Sequence, residues 1–62
     1  MLKFTTKRDR NGNRYTLLID QEARTYKRSY NTSYDYSDYI TITRKDRDKL
    51  TAELDEIGYK AI

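Results

Sequence analysis

A chain of 62 residues is expected to form one domain, 1–62, with a thin core, because so short a chain buries only about 60% of the surface its unfolded form exposes. Charged residues make up 37% and hydrophobic ones 35%, with no histidine and no cysteine, which removes the commonest general base, thiolate metal sites and disulfide staples. The net charge of +3 is uneven: residues 1–30 carry eight Lys/Arg against three Asp/Glu, and residues 31–62 carry five against seven.

The first predicted element is a β-hairpin over 2–20. Asn11-Gly12 lies between two alternating stretches. This pair favours a two-residue type I′ turn, in which both central residues take positive φ. Such a turn sets Arg10 opposite Asn13, Phe4 opposite Ile19 and Thr6 opposite Leu17. One face then collects Leu2, Phe4, Thr6 and Arg8 with Tyr15, Leu17 and Ile19. The other face pairs Asp9 with Arg14 and Lys3 with Asp20, each pair contributing about 0.2–1 kcal/mol. A slip by one residue exchanges the two faces.

A turn at 20–24 leads to a third strand, 25–31. A four-residue loop there places Tyr26 beside Ile19 and Tyr30 beside Tyr15, so Tyr15, Tyr26 and Tyr30 are expected at the core or its rim. Residues 31–38, NTSYDYSD, are rich in turn formers and follow no period. Residues 39–43 read as a short strand. Thr43 suits an N-cap, with Asp46 at N3. A helix over 44–57 then carries Leu50, Leu54 and Ile57 as a narrow apolar stripe. Gly58 fits the left-handed position after the helix, with Tyr59 folding back onto Leu54.

The stripe needs an apolar partner, and the Leu2–Phe4–Leu17–Ile19 face is the one on offer. The predicted fold is α+β: an antiparallel sheet of three to four strands with one C-terminal helix packed on one face.

The residue inventory argues for binding and against catalysis. Asp35 with Asp38, and Asp46 with Asp48, are close in sequence, but loop and first-turn acids are usually solvated or capping groups. Asp46 and Asp48 do not share a helix face. Two glycines, Gly12 and Gly58, cannot form a phosphate loop, and no metal-ligand spacing occurs. The expectation is a small non-enzymatic module with no cofactor and no metal. No apolar run has membrane length, and MLKFTTKRDR lacks the apolar core of a signal peptide, so a cytoplasmic protein that does not enter membranes is expected.

A helix docked on one face leaves the other sheet face open. That face displays Lys3, Thr5, Lys7, Arg14, Thr16, Lys27 and Ser29, and Arg8 and Arg10 at the hairpin tip extend it. A basic ribbon of this kind suits the major groove of double-stranded DNA. The candidate nucleic-acid contacts are therefore Lys3, Lys7, Arg8, Arg10, Arg14, Thr16 and Lys27. Lys, Arg and Thr are also ordinary fillers of solvent-facing strand positions. Tyr34 and Tyr36 offer an alternative. Tyrosine is enriched at binding surfaces, while Asp35 and Asp38 beside them repel a phosphate backbone, which points to a protein-interaction module, such as a phage-type inhibitor or adaptor. The segment 30–39 equally suits a cover for a small core. Unpaired sheet edges would also allow a homodimer.

The order of elements, three-stranded meander then helix over about residues 3–57, resembles the amino-terminal arm-binding domain of tyrosine recombinases. The sequence likeness rests on Asn11-Gly12-Asn13-Arg14-Tyr15 followed by Ile19-Asp20. The resemblance implies DNA held against the sheet, with Lys7, Arg14, Thr16 and Lys27 at the contact positions. The chain departs from that pattern by inserting the tyrosine segment before the helix, and a module without a recombinase body is expected. In size and charge it also resembles small uncharacterised accessory proteins of Gram-positive bacteria and their phages.

Overall fold

The computed structural model describes residues 1–31 and 35–62. Its elements, in chain order, are β1 (Leu2–Thr5), β2 (Arg14–Asp20), β3 (Thr25–Asn31), β4 (Ile40–Thr41), α1 (Arg44–Glu56) and β5 (Lys60–Ala61). The fold is α+β with one C-terminal helix, as expected. The sheet differs from expectation: it has five strands, in the order β4-β1-β2-β3-β5, and it is mixed. β1, β2 and β3 form the antiparallel meander. β4, shorter than the predicted 39–43 strand, runs parallel to β1, and β5 runs parallel to β3. A strand at 39–43 is legible and β4 lies within it, but two-residue pairings leave no alternation from which their parallel direction, or β5, can be read.

The hairpin keeps the predicted faces and changes the predicted register. Leu2 pairs with Ile19, Phe4 with Leu17 and Thr5 with Thr16. Two irregularities cause this. Asn11 does not take positive φ, whereas Gly12 does, at 81°. The Gly12 N–H donates to the Asp9 carbonyl (3.0 Å) and the Asp9 N–H to the Asn13 carbonyl (2.8 Å). The loop is thus Arg10-Asn11-Gly12, a turn closed by a glycine bulge. Asp9 Oδ1 fixes it by accepting from the Asn11 and Asn13 N–H groups, which favours this loop over the two-residue one. A second bulge follows: Thr6 pairs with Tyr15, so Lys7 and Arg8 together face Arg14. Each bulge alone would exchange the faces; together they restore them. The predicted pairs Asp9–Arg14 and Lys3–Asp20 do not form, because Lys3 faces Leu18.

The β2–β3 turn follows expectation. Ile19 pairs with Tyr26 and Tyr15 with Tyr30 across a four-residue loop. Asp20 Oδ1 accepts from the Glu22 and Ala23 N–H groups, and Arg24 closes the turn at φ 55°.

Thr43 caps α1, its hydroxyl accepting from the Asp46 N–H at 3.0 Å. At the other end Gly58 takes φ 99°, its N–H reaches the Asp55 carbonyl, and the Tyr59 N–H reaches the Leu54 carbonyl. Tyr59 returns to the core, as expected. Ile57 does not: it is 60% exposed. The buried helix positions are Arg47, Thr51 and Leu54, with Leu50 half-buried beside them. The sheet-facing side is therefore rotated from the predicted stripe. The chain reversal at Gly58 brings Tyr59, in place of Ile57, against the core. The helix carries no basic residue in its last turn. Arg24 supplies the missing cation, donating to the Ile57 carbonyl at 2.7 Å and lying 4.8 Å from the Tyr59 ring. Arg24→Ala should cost about 0.5–1 kcal/mol, read from the urea midpoint.

The core comprises Leu17, Ile19, Tyr26 and Leu54, with Phe4, Leu50 and Tyr59 packed against it. Tyr26 also donates its hydroxyl to Asp55. That bond, with burial adding to it, holds the Tyr26 phenol above its ordinary value of 10.0. Its contribution is present below that value and is lost as pH rises through the elevated one.

The strand order explains what lies on the opposite face. Parallel crossovers are almost always right-handed. Two right-handed connections that traverse a sheet in opposite directions must use opposite faces. α1 takes one face in passing from β4 to β5. Residues 35–39, returning from β3 to β4, are left the other.

Candidate nucleic-acid interface

The sheet face predicted to lie open is occupied in its centre by residues 35–39. Tyr36 is buried, at 8% exposure, with its ring 4.9 Å from that of Tyr39 in a T-shaped contact. The Arg14 guanidinium lies 5.1 Å from the Tyr36 ring, and its Nε is buried without a hydrogen bond. Lys3 makes an ion pair with Asp38 at 3.0 Å and lies 5.8 Å from the Tyr39 ring. Between Lys3 and Arg14 on this face, Thr5 and Thr16 are buried.

These contacts sort the predicted nucleic-acid residues. Thr16 is turned inward, its hydroxyl 2.7 Å from that of Ser29, so it does not face a groove. Lys3 and Arg14 are engaged by the tyrosine segment. Lys27 is exposed on β3, apart from the rest. Lys7, Arg8 and Arg10 are exposed at the hairpin end, where Arg8 donates to the Gly12 carbonyl at 2.9 Å. Of the predicted protein-contact pair, Tyr36 is packed away and Tyr34 lies outside the described residues.

The Lys3–Asp38 pair has a pH signature. The hydrogen bond from Lys3 holds the Asp38 carboxyl below its ordinary 3.8, and the same bond holds Lys3 above 10.5. The depressed carboxyl contributes above 3.8 and loses its contribution as pH falls through the lower folded value. The raised ammonium contributes in full below 10.5 and loses its contribution as pH rises through the higher folded value. The tie is therefore complete between those limits. Acidification should shift the Tyr39 ring resonances in an NMR titration, and Asp38→Asn should abolish that shift.

What the sequence did not reveal is a second set of cations beside the hairpin. β4 pairs with β1, and the Ile42 N–H donates to the Thr5 carbonyl at 2.8 Å. The start of α1 is thereby set next to the hairpin base. Arg44 lies 4.1 Å from the Tyr15 ring, and Arg47 lies 5.3 Å from it. Arg47 is buried, donating from Nε to the Thr16 carbonyl at 3.1 Å, and burial pushes its guanidinium below the usual arginine range. A hydropathy pattern cannot show a buried arginine whose partners are strand carbonyls and a ring.

Between the hairpin base, β4 and the first turn of α1 lies a cleft of about 550 Å³. Thr6, Tyr15 and Ile42 line it on the sheet side. Lys7 and Arg44 bring positive charge to it, and Asp9 and Asp46 negative charge.

Charge is segregated along the strand direction. The hairpin end gathers Lys7, Arg8, Arg10, Arg14, Arg44, Lys45 and Arg47 against Asp9, Asp35, Asp46 and Asp48. The other end gathers Asp20, Glu22, Asp38, Glu53, Asp55 and Glu56 against Lys3, Arg24, Lys27 and Lys60. Among the described residues no group of acids forms a metal cluster, and no helix is long and apolar enough to cross a membrane. Compared with protein-family models, curated proteins and solved structures, the chain matches none.

Proposed function

We propose that this protein is a non-enzymatic nucleic-acid-binding module that meets the phosphate backbone with its hairpin end. The observation that carries this reading is the convergence of exposed cations from two distant stretches, Lys7, Arg8 and Arg10 of the hairpin and Arg44 and Lys45 at the start of α1, on one end. Helix stability does not account for it. Arg44 and Lys45 occupy the first turn of α1, where the helix dipole disfavours cations. Stacking on Tyr15 offsets this for Arg44, whereas Lys45 projects as an exposed charge. Positive side chains and the positive helix end thus add at one place, an arrangement that costs stability and favours a polyanion.

The reading moves the interface from the centre of the sheet, where Lys3 and Arg14 are covered, to its end. Titration of a labelled oligonucleotide, followed by anisotropy at about 50 and about 200 mM salt, tests it. Four phosphate contacts on a duplex predict a loss of about 100-fold in affinity between the two. Absence of binding at the lower salt, or binding without a salt slope, would overturn it. Lys27→Gln should leave the slope unchanged.

A further inference from the structure

We infer that the cleft beside Tyr15 receives an unpaired base, so that the preferred ligand is single-stranded nucleic acid; this rests on the reading above. The cleft, at about 550 Å³, is large enough for a planar heterocycle. Its walls suit a base better than a phosphate. Tyr15 and Ile42 supply apolar surface, and Thr6, Thr41 and Thr43 line it too. Two acids also face it. Asp9 is already committed through Oδ1 to the Asn11 and Asn13 N–H groups, and Asp46 is exposed at the first turn of α1. Carboxylates repel a phosphate but accept from the amino and imino groups of a base. Of the cations that suit phosphates, Lys7 lines the cleft, and Arg10 and Lys45, next in sequence to the lining residues Asp9 and Arg44, are exposed as well.

A second aromatic extends the path. Tyr30 pairs with Tyr15 across β2 and β3, ring centres 5.8 Å apart, yet it is 64% exposed. A large ring left in solvent beside a ring-lined cleft and a cluster of cations is the combination that holds single strands, because every base has a face to stack and a phosphate to neutralise. Duplex DNA keeps its bases stacked internally and offers the exposed Tyr30 ring no partner.

The test compares a thymidine decamer with an abasic decamer of the same phosphate count, at about 50 mM salt. Stacking predicts that the thymidine strand binds at least about 10-fold more tightly, and that Tyr30→Ser narrows the gap. Tyr30 is exposed, so its replacement leaves the fold intact, which a urea curve checks. Equal affinity for the two strands would overturn the inference while leaving the backbone-binding reading standing. Absence of binding to either strand would overturn both.

Discussion

Leu17→Ala is expected to remove about half of the protein's stability. Leu17 is fully buried at the centre of β2, between Phe4 and Arg28 in register and under α1. Truncating a buried leucine costs about 2–5 kcal/mol in lost transfer energy and residual cavity. A chain of 62 residues has only about 3–9 kcal/mol of stability in total. Leu18 provides the control. It is the next residue, on the opposite face, and only half-buried, so Leu18→Ala should cost clearly less. Far-UV circular dichroism with urea titration ranks the two. The reverse order would mean that β2 presents the other face to the helix.

Neutralising the hairpin end should remove most of the proposed affinity without harming the fold. The variant carrying Lys7→Gln, Arg10→Gln and Lys45→Gln changes three exposed side chains drawn from both cation-bearing stretches. Each lost phosphate contact lowers the salt slope by about 0.9, so the triple change lowers it by about 2.7 on a duplex. Exposed substitutions of this kind usually alter stability by no more than about 0.5 kcal/mol each. The urea midpoint should therefore stay close to that of the parent while binding collapses. An unchanged slope would place the contacts elsewhere.

The fold was legible wherever periodicity and turn chemistry spoke, and obscure where the chain is short or polar. Alternation placed Leu17 and Ile19 on one face and survived two bulges, because two one-residue irregularities cancel. The register departs from the Asn11-Gly12 expectation because the Asp9 carboxylate builds a longer loop than that pair alone implies. The capping residues Thr43 and Gly58 marked α1 correctly. The helix face differs from the apolar stripe because Arg47 and Thr51 are polar, and their burial depends on partners that hydropathy does not register. Thr51 satisfies its hydroxyl on the Asp48 carbonyl at 2.8 Å, and Arg47 reaches strand β2.

The tyrosines take their places for a topological reason. Tyr30, expected at the core rim, is exposed near the end of β3. Tyr36, for which a surface contact and a core cover are both expected, is the cover: it lies buried on the back of the sheet. Only the crossover from β3 to β4 brings residues 35–39 to that face, and it depends on β4 pairing with β1 over two residues. For the same reason the cleft could not be foreseen: its walls come from the hairpin base, β4 and α1, brought together by that pairing.

The most direct test of the account is a map of amide shifts. Addition of a short oligonucleotide to the ¹⁵N-labelled protein at low salt should perturb residues 7–15, Tyr30 and residues 41–46, and leave Lys27, Glu22 and Glu56 unmoved. Perturbation confined to Lys27 and the rest of β3, or to the acidic end, would contradict it.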